Sequence, residues 1–309
     1  MQRIGLIDVD GHNFPSLPLM KLSAWHKDKG DTVEWYDPML AATGAAAGII
    51  HYSLIYMAKV FTFSPDYLYP LIADDVIRSG TGYFYPDGGE PLPNDVEHTY
   101  PDYSLYPHLT HETAYGFLTR GCPGKCGFCC VWQKEGCKSV KVADLSEFWR
   151  GQKNIKLLDP NLIACSDSLN LLQQLVSSNA HIDFTQGIGI KFITSEKTEL
   201  IKKMKIKQVH FAWDMPEEES LIVPKLEAFA RETGWNRNKM GVYVLSNYNS
   251  TIEQDLHRIY TIRDLGFSPY LMIYEKERLP KGHKLRKMQR WVNSRFAFYS
   301  CPNFEDYKS

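Results

Sequence analysis

Apolar and polar positions alternate in a regular rhythm along two segments of the chain and lose it in between. Arg3 to Val9 is a mostly apolar run ending at Asp8-Val9-Asp10-Gly11-His12-Asn13-Phe14-Pro15. Leu17, Met20, Leu22, Ala24 and Trp25 then fall on one helical face, with Gly30 as a stop. Thr32–Tyr36, Leu54–Phe61 and Asp75–Gly82 predict further strands, with an alanine- and glycine-rich connection from Ala41 to Gly48. Strand–helix–strand alternation marks a parallel sheet. Residues 1–85 therefore predict a small Rossmann-like domain, its ligand edge at the carboxyl ends of the strands.

Residues 86–113 turn to Pro, Asp, Glu, Tyr and His without periodicity. Pro86, Pro91, Pro93, Pro101 and Pro107 predict a linker without regular structure. Tyr100, Tyr103, Leu105 and Tyr106 offer it apolar area to lie along the surface. From 114 to 309 the alternation resumes with the regularity of a barrel. Strands are expected at Tyr115–Arg120, Asn154–Ala164, Ile182–Ile190, Lys207–Trp213, Met240–Ser246 and Pro269–Tyr274. Helices are expected at Ser168–Ser177, Ser195–Met204, Glu217–Thr233, Thr251–Leu265 and Leu285–Asn293. In parallel barrels, function sits at the carboxyl ends of the strands.

Composition narrows the setting. The 309 residues are 44% hydrophobic and 23% charged, as in a soluble globular protein. No apolar run approaches the ~20 residues of a membrane span, and the first residues lack a signal peptide's apolar region. Seven cysteines, an odd number, argue for a reducing cytoplasm. A formal net charge of −1 gives no strong field toward nucleic acid.

Three of the cysteines lie close together. The strand expected at Tyr115–Arg120 runs into Gly121-Cys122-Pro123-Gly124-Lys125-Cys126-Gly127-Phe128-Cys129. The spacing is C-x3-C-x2-C, with an aromatic residue before the last cysteine. Three thiolates on so short a loop suit a metal or an iron–sulfur cluster. Zinc-binding or simply buried cysteines are the bland alternative, although a structural zinc site would ordinarily be closed by a fourth ligand.

This arrangement resembles the signature of the radical S-adenosylmethionine (radical SAM) superfamily. The resemblance implies that Cys122, Cys126 and Cys129 ligate a 4Fe–4S cluster and that Phe128 lies beside the adenine of S-adenosylmethionine. The open iron would chelate the methionine amine and carboxylate, and one electron would cleave the sulfonium to a 5′-deoxyadenosyl radical. The six strands then become a partial (β/α)6 barrel, with the cluster loop at its mouth. An electron donor such as a flavodoxin or ferredoxin is implied as a partner.

Candidate contacts to S-adenosylmethionine follow at the strand ends. Asp159-Pro160-Asn161 lies where family members contact the methionine amine, although the family's Gly-Gly-Glu is absent there. Gln186, Asp214 and Ser246 end the next strands, and a carboxylate such as Asp214 can accept from ribose hydroxyls or the ammonium group. Each also reads as a polar residue ending a strand in water. A Rossmann-like domain ahead of the barrel resembles the cobalamin-binding subfamily. His12 in Asp10-Gly11-His12 matches the cobalt-ligating histidine of D-x-H-x-x-G, while Pro15 replaces the final glycine. Gly80 and Gly82 would let backbone approach the corrin or its tail.

Cys130, Cys137, Cys165 and Cys301 contain no tight pair and read as separate thiols. Lys276, Arg278, Lys281, Lys284, Arg286, Lys287 and Arg290 form a basic run that suits either a solvated helix face or a phosphate-bearing partner such as RNA. The expectation is thus a cytoplasmic radical SAM enzyme acting on a small molecule, nucleotide or peptide, by methylation or rearrangement at an unactivated carbon. Two alternatives stand beside it: a cobalamin-independent member modifying RNA or a nucleotide, and an iron–sulfur or zinc protein used for binding or electron transfer.

Overall fold

The structure is a computed structural model that describes residues 1–48 and 50–308. It divides into two compact units that follow packing rather than the order of segments. The first comprises Met1–Phe117, Gly121–Cys137 and Val142–Ile155, and the second Leu118–Arg120, Lys138–Lys141 and Lys156–Ser309.

In the first unit, β1 (Arg3–Asp8), α1 (Leu17–Asp28), β2 (Thr32–Trp35), α2 (Pro38–Ala46), β3 (Leu54–Ala58) and β4 (Asp75–Ser79) build a parallel sheet in the order β2-β1-β3-β4. Ile4 and Leu6 pack with Leu19 and Leu22 of α1. Ile7 packs on the opposite side with Ala41 of α2, Ile55 and Met57. The Ala41–Gly48 connection expected from its alanines and glycines is therefore largely helical. Asp37 caps this helix by accepting from the amides of Met39 and Leu40, and Pro38 supplies a ready first turn.

The proline-rich stretch also holds more structure than its composition suggests. Two single turns form, α3 (Asn94–Glu97) and α4 (Pro107–Thr110), each begun by a proline. Proline forbids helix interiors but suits helix starts. Val96 and Tyr106 are buried, and Tyr103 donates its hydroxyl to the Phe148 carbonyl at 2.6 Å.

The expected strand Tyr115–Arg120 is split into β5 (Thr113–Gly116) and β6 (Thr119–Arg120). After a five-residue helix, α5 (Val131–Glu135), the chain returns as β7 (Val140–Lys141), antiparallel to β6. β8 (Asn154–Leu157) begins in the first unit and ends in the second.

In the second unit, α6 (Ser168–Ser178), β9 (His181–Phe184), α7 (Ser195–Lys203), β10 (Lys205–Ile206), β11 (Val209–Ala212), α8 (Glu219–Thr233), β12 (Met240–Ser246), α9 (Ile252–Asp264), β13 (Ser268–Ile273), α10 (Lys284–Asn293) and α11 (Arg295–Ser300) continue the alternation. The strands are parallel but belong to two ladders, β10-β9-β8 and β11-β12-β13, rather than one continuous sheet. The expected strands from Asn154 and Ile182 stop early, at Leu157 and Phe184. Past β9, Gly187 turns with φ at 77° and the amide of Ile188 donates to the His210 carbonyl at 2.9 Å, linking the two ladders without extending either. One face of β11–β13 is buried, with Phe211 of β11 edge-on to Phe229 of α8. No helix among the described residues is long and apolar enough to cross a membrane.

Candidate functional site

The cysteine loop is closed at its neck by the chain itself. Gly121 donates its amide to the Glu135 carboxylate at 3.1 Å, and the amide of Cys122 donates to the Gly136 carbonyl at 3.2 Å. Gly121 and Gly136 hold positive φ values of 80° and 91°, which glycine adopts without a Cβ penalty. Within the loop, the amide of Gly124 points at Cys122 Sγ from 3.4 Å, and the amide of Cys129 turns back to the Cys126 carbonyl at 3.1 Å. A Cβ placed on Gly124 would stand 3.5 Å from both Cys122 Sγ and Cys126 Sγ, so the two sulfurs flank one side of a residue that leaves space between them. The indole of Trp132 donates to the Cys126 carbonyl at 3.2 Å, tying the loop to α5.

These donors fit an iron–sulfur cluster. Three thiols lie on one short loop, and an amide already donates to one sulfur, the kind of hydrogen bond that tunes such a cluster. Among the described residues no three His, Cys, Asp or Glu side chains converge on the position of one metal ion. The ligands of a cubane each hold a separate iron and require no such convergence.

On the second unit, Asp159 follows β8 and is 4% exposed. Its carboxylate accepts from the amides of Leu118 and Thr119 and from the Thr119 hydroxyl, the residues that lead into the cysteine loop. Burial raises its pKa to about 6 against those bonds. Asn161 is buried with its amide against Gly189, where a Cβ would come within 2.8 Å. Gln186 is exposed past the end of β9. Ser246, fully buried at the end of β12, donates to the Met272 carbonyl at 3.2 Å.

Asp214 differs from these. It follows β11, and burial raises its pKa to about 6, offset by the charge of Arg258. Its Oδ1 is buried and has no hydrogen-bond partner among the described residues. Buried polar atoms are rarely left so, and each one calls for a physical account. Arg258 of α9, itself wholly buried, donates to the carbonyls of Trp213, Asp214 and Leu245 and to Asp255. It thereby fixes the ends of β11 and β12. Sequence reasoning missed Arg258, Glu135 and Gly136. The only local signals were a glycine after a short helix and an Asp–Arg pair three residues apart.

At the carboxyl edge of the first sheet, Asp10 accepts from the amides of Val60 and Phe61 and from the Ser64 hydroxyl. His12 stacks on Trp35, ring centroids 4.2 Å apart, with Tyr106 edge-on at 5.6 Å. A Cβ on Gly80 would fall 2.2 Å from the Lys59 carbonyl oxygen, and one on Gly82 2.3 Å from Lys59 Cγ. Close approach of the chain's own loop accounts for both glycines. That loop presents Phe61 and Phe63, 50% and 82% exposed, with rings stacked at 5.1 Å.

Elsewhere, Cys165 is buried, Cys301 Sγ points at the Asn303 carbonyl, and Cys130 and Cys137 bracket α5. Much of the basic run is engaged locally. Arg278 pairs with Glu275, Arg286 donates to the carbonyls of Lys276 and Leu279, and Lys284 and Lys287 approach the Phe304 ring.

Among solved structures, the chain is similar to the radical S-adenosylmethionine methyltransferase TsrM from Kitasatospora setae with cobalamin and a [4Fe-4S] cluster bound. The TM-score is 0.62 at 13% identity, covering 88% of this chain and 75% of that one. The likeness is one of fold. No protein-family model and no curated protein matches the sequence.

Proposed function

We propose that the chain is a radical S-adenosylmethionine enzyme whose Cys122, Cys126 and Cys129 hold a [4Fe-4S] cluster. The observation that carries this reading is the loop itself, sealed at Gly121–Glu135 and Cys122–Gly136, with Cys122 and Cys126 flanking the bare side of Gly124. The fold shared with TsrM supports it. Bound there, the cluster would supply the electron and open iron that cleave S-adenosylmethionine to a 5′-deoxyadenosyl radical. The chain's residues would take the remaining roles. Phe128 offers an aromatic surface to the adenine, and ionised Asp214 accepts from ribose hydroxyls through its unpartnered Oδ1. Asp159 acts as a positioning residue by fixing Leu118 and Thr119. Asn161, Gln186 and Ser246 complete the polar set at the strand ends.

The reaction that follows is methylation or rearrangement at an unactivated carbon of a small molecule, nucleotide or peptide, with a flavodoxin or ferredoxin as reductant. Anaerobic reconstitution with iron and sulfide, then dithionite and S-adenosylmethionine, tests the core of the reading. 5′-Deoxyadenosine is expected from the wild type and not from the Cys122→Ala, Cys126→Ala or Cys129→Ala variants. No product, when a known family member run alongside yields it, refutes the proposal.

A second reading adds cobalamin, bound without histidine on cobalt. It is supported by the exposed Phe61–Phe63 pair at the carboxyl edge of the first sheet and by the cobalamin bound in TsrM. Those side chains would cover the corrin while the Val60–Ser64 loop, fixed by Asp10, holds them in place. Retention of about one equivalent of hydroxocobalamin through a desalting column supports this reading, and a colourless protein sinks it.

A further inference from the structure

The open face of β11–β13 carries a group of rings that the proposed chemistry does not use. His210, Tyr243 and Tyr270 stand on three neighbouring strands. The imidazole of His210 lies parallel to the Tyr243 ring, centroids 4.8 Å apart at 9°, and Tyr270 meets Tyr243 edge-on at 5.7 Å. The imidazole lies over Gly241, where a Cβ would come within 2.6 Å of His210 Cδ2. Glycine inside a strand weakens it and marks a close approach. Here it makes room for a flat ring.

These rings line an open hollow of about 910 Å³, together with Lys207, Arg295, Gln186 and Gln208. Lys207 and Gln208 precede β11 and Ser268 begins β13, while Gln186 follows β9 and Met272 nears the end of β13, so the hollow runs along this open face. Its charge is biased. Its cations are Lys207 and Arg295, and Arg237 stands 4.1 Å over the ring of Tyr299, another lining residue. Asp183 is the carboxylate whose charge acts on both His210 and Tyr243. Burial lowers the pKa of His210, which favours a neutral ring for stacking.

We infer that this hollow binds a nucleotide unit. The base stacks on the exposed Tyr270 ring, the amide of Gln208 meets its edge, and the phosphate lies between Lys207 and Arg295. Rings and amides alone would suit any planar heterocycle. The cations select one that carries an anionic group, the pairing used by proteins that bind single-stranded nucleic acid. The unit is either a free nucleotide or part of an RNA strand, and the inference does not depend on the cluster.

The test is calorimetric titration of the full-length chain with uridine 5′-monophosphate, uridine, inorganic phosphate and octauridylate. The monophosphate should bind more tightly than uridine or phosphate, because it alone satisfies both rings and cations. Tyr270→Ala and Arg295→Gln should each weaken binding roughly tenfold, while Lys153→Gln, outside the hollow, leaves it unchanged. Tyr270 is 46% exposed, so its loss should not unfold the chain. Tighter binding of octauridylate identifies a strand as the source, and equal binding a free nucleotide. If neither ligand binds, or if both Tyr270→Ala and Arg295→Gln leave binding unchanged, the assignment falls.

Discussion

Asp159 holds Thr119 twice through one oxygen. Its Oδ1 accepts from the Thr119 amide at 2.5 Å and from the Thr119 hydroxyl at 2.7 Å. The same carboxylate takes the Leu118 amide, so the peptide entering the cysteine loop is fixed from 40 residues away. Across the β6–β7 ribbon, Thr119 pairs with Lys141, whose ammonium meets Asp167 at 3.4 Å.

Removing that grip should be costly. Asp159→Ala leaves two buried amides and a hydroxyl without their acceptor, at roughly 1–3 kcal/mol for each unsatisfied group. Asp159→Asn isolates the charge. The folded carboxyl titrates near 6 against an ordinary 3.8, so the folded chain retains a proton that the unfolded chain releases between those values. This group's contribution to stability therefore falls as pH rises from about 4 to 6. The asparagine variant lacks that loss. Its melting temperature relative to wild type should climb across this window, and a difference that stays flat with pH would contradict the assignment.

Asp214 carries a prediction that depends on the proposed cofactor. Accepting from ribose hydroxyls requires the ionised carboxylate, and burial places its pKa at about 6. The KM for S-adenosylmethionine, followed by 5′-deoxyadenosine formation, should thus rise as pH falls through 6. Asp214→Asn should raise KM roughly tenfold at pH 8, in line with the ~1.5–3 kcal/mol of a hydrogen bond to a charged group. An unchanged KM over the whole range would remove Asp214 from the site.

The space beside Gly124 can be tested by filling it. A single Cβ there meets both sulfurs at an ordinary 3.5 Å, so Gly124→Ala should load iron normally. Gly124→Val pushes two more carbons toward Cys122 and Cys126 and should lose most of the iron after anaerobic reconstitution. The loop stands outside the hydrophobic core, so the melting temperature of the unreconstituted protein should barely move. Equal iron content in both variants would show that the cluster does not occupy that side of the loop.

What the sequence revealed and what it hid divide along a physical line. α6, α7, α9 and α10 lie within a residue of the helices expected from apolar periodicity, because that pattern is local. The cysteine loop was legible for the same reason, its three thiols being within eight positions of one another. α2 was not, since its alanines lack an amphipathic pattern and its start depends on Asp37. The break between β5 and β6 depends on Asp159 capturing Leu118 and Thr119. The division into two ladders depends on Gly187 turning so that Ile188 reaches His210. Strand-end residues look alike in sequence. Asp159 and Asp214 separate only when one carboxylate finds three donors and the other keeps a buried oxygen unpartnered.

Gly241 and His210 should behave as one unit. Gly241→Ala alone drives a Cβ to 2.6 Å from the imidazole, and overpacking of this kind costs ~1–3 kcal/mol. His210→Ala alone removes the ring stacked on Tyr243 and leaves Gly241 with its conformational cost. In the double variant the new methyl occupies space the ring has vacated. Its loss in urea unfolding should therefore be smaller than the sum of the two single losses, by about 1 kcal/mol or more. Strict additivity would mean that Gly241 is required by the strand's backbone rather than by the ring lying over it.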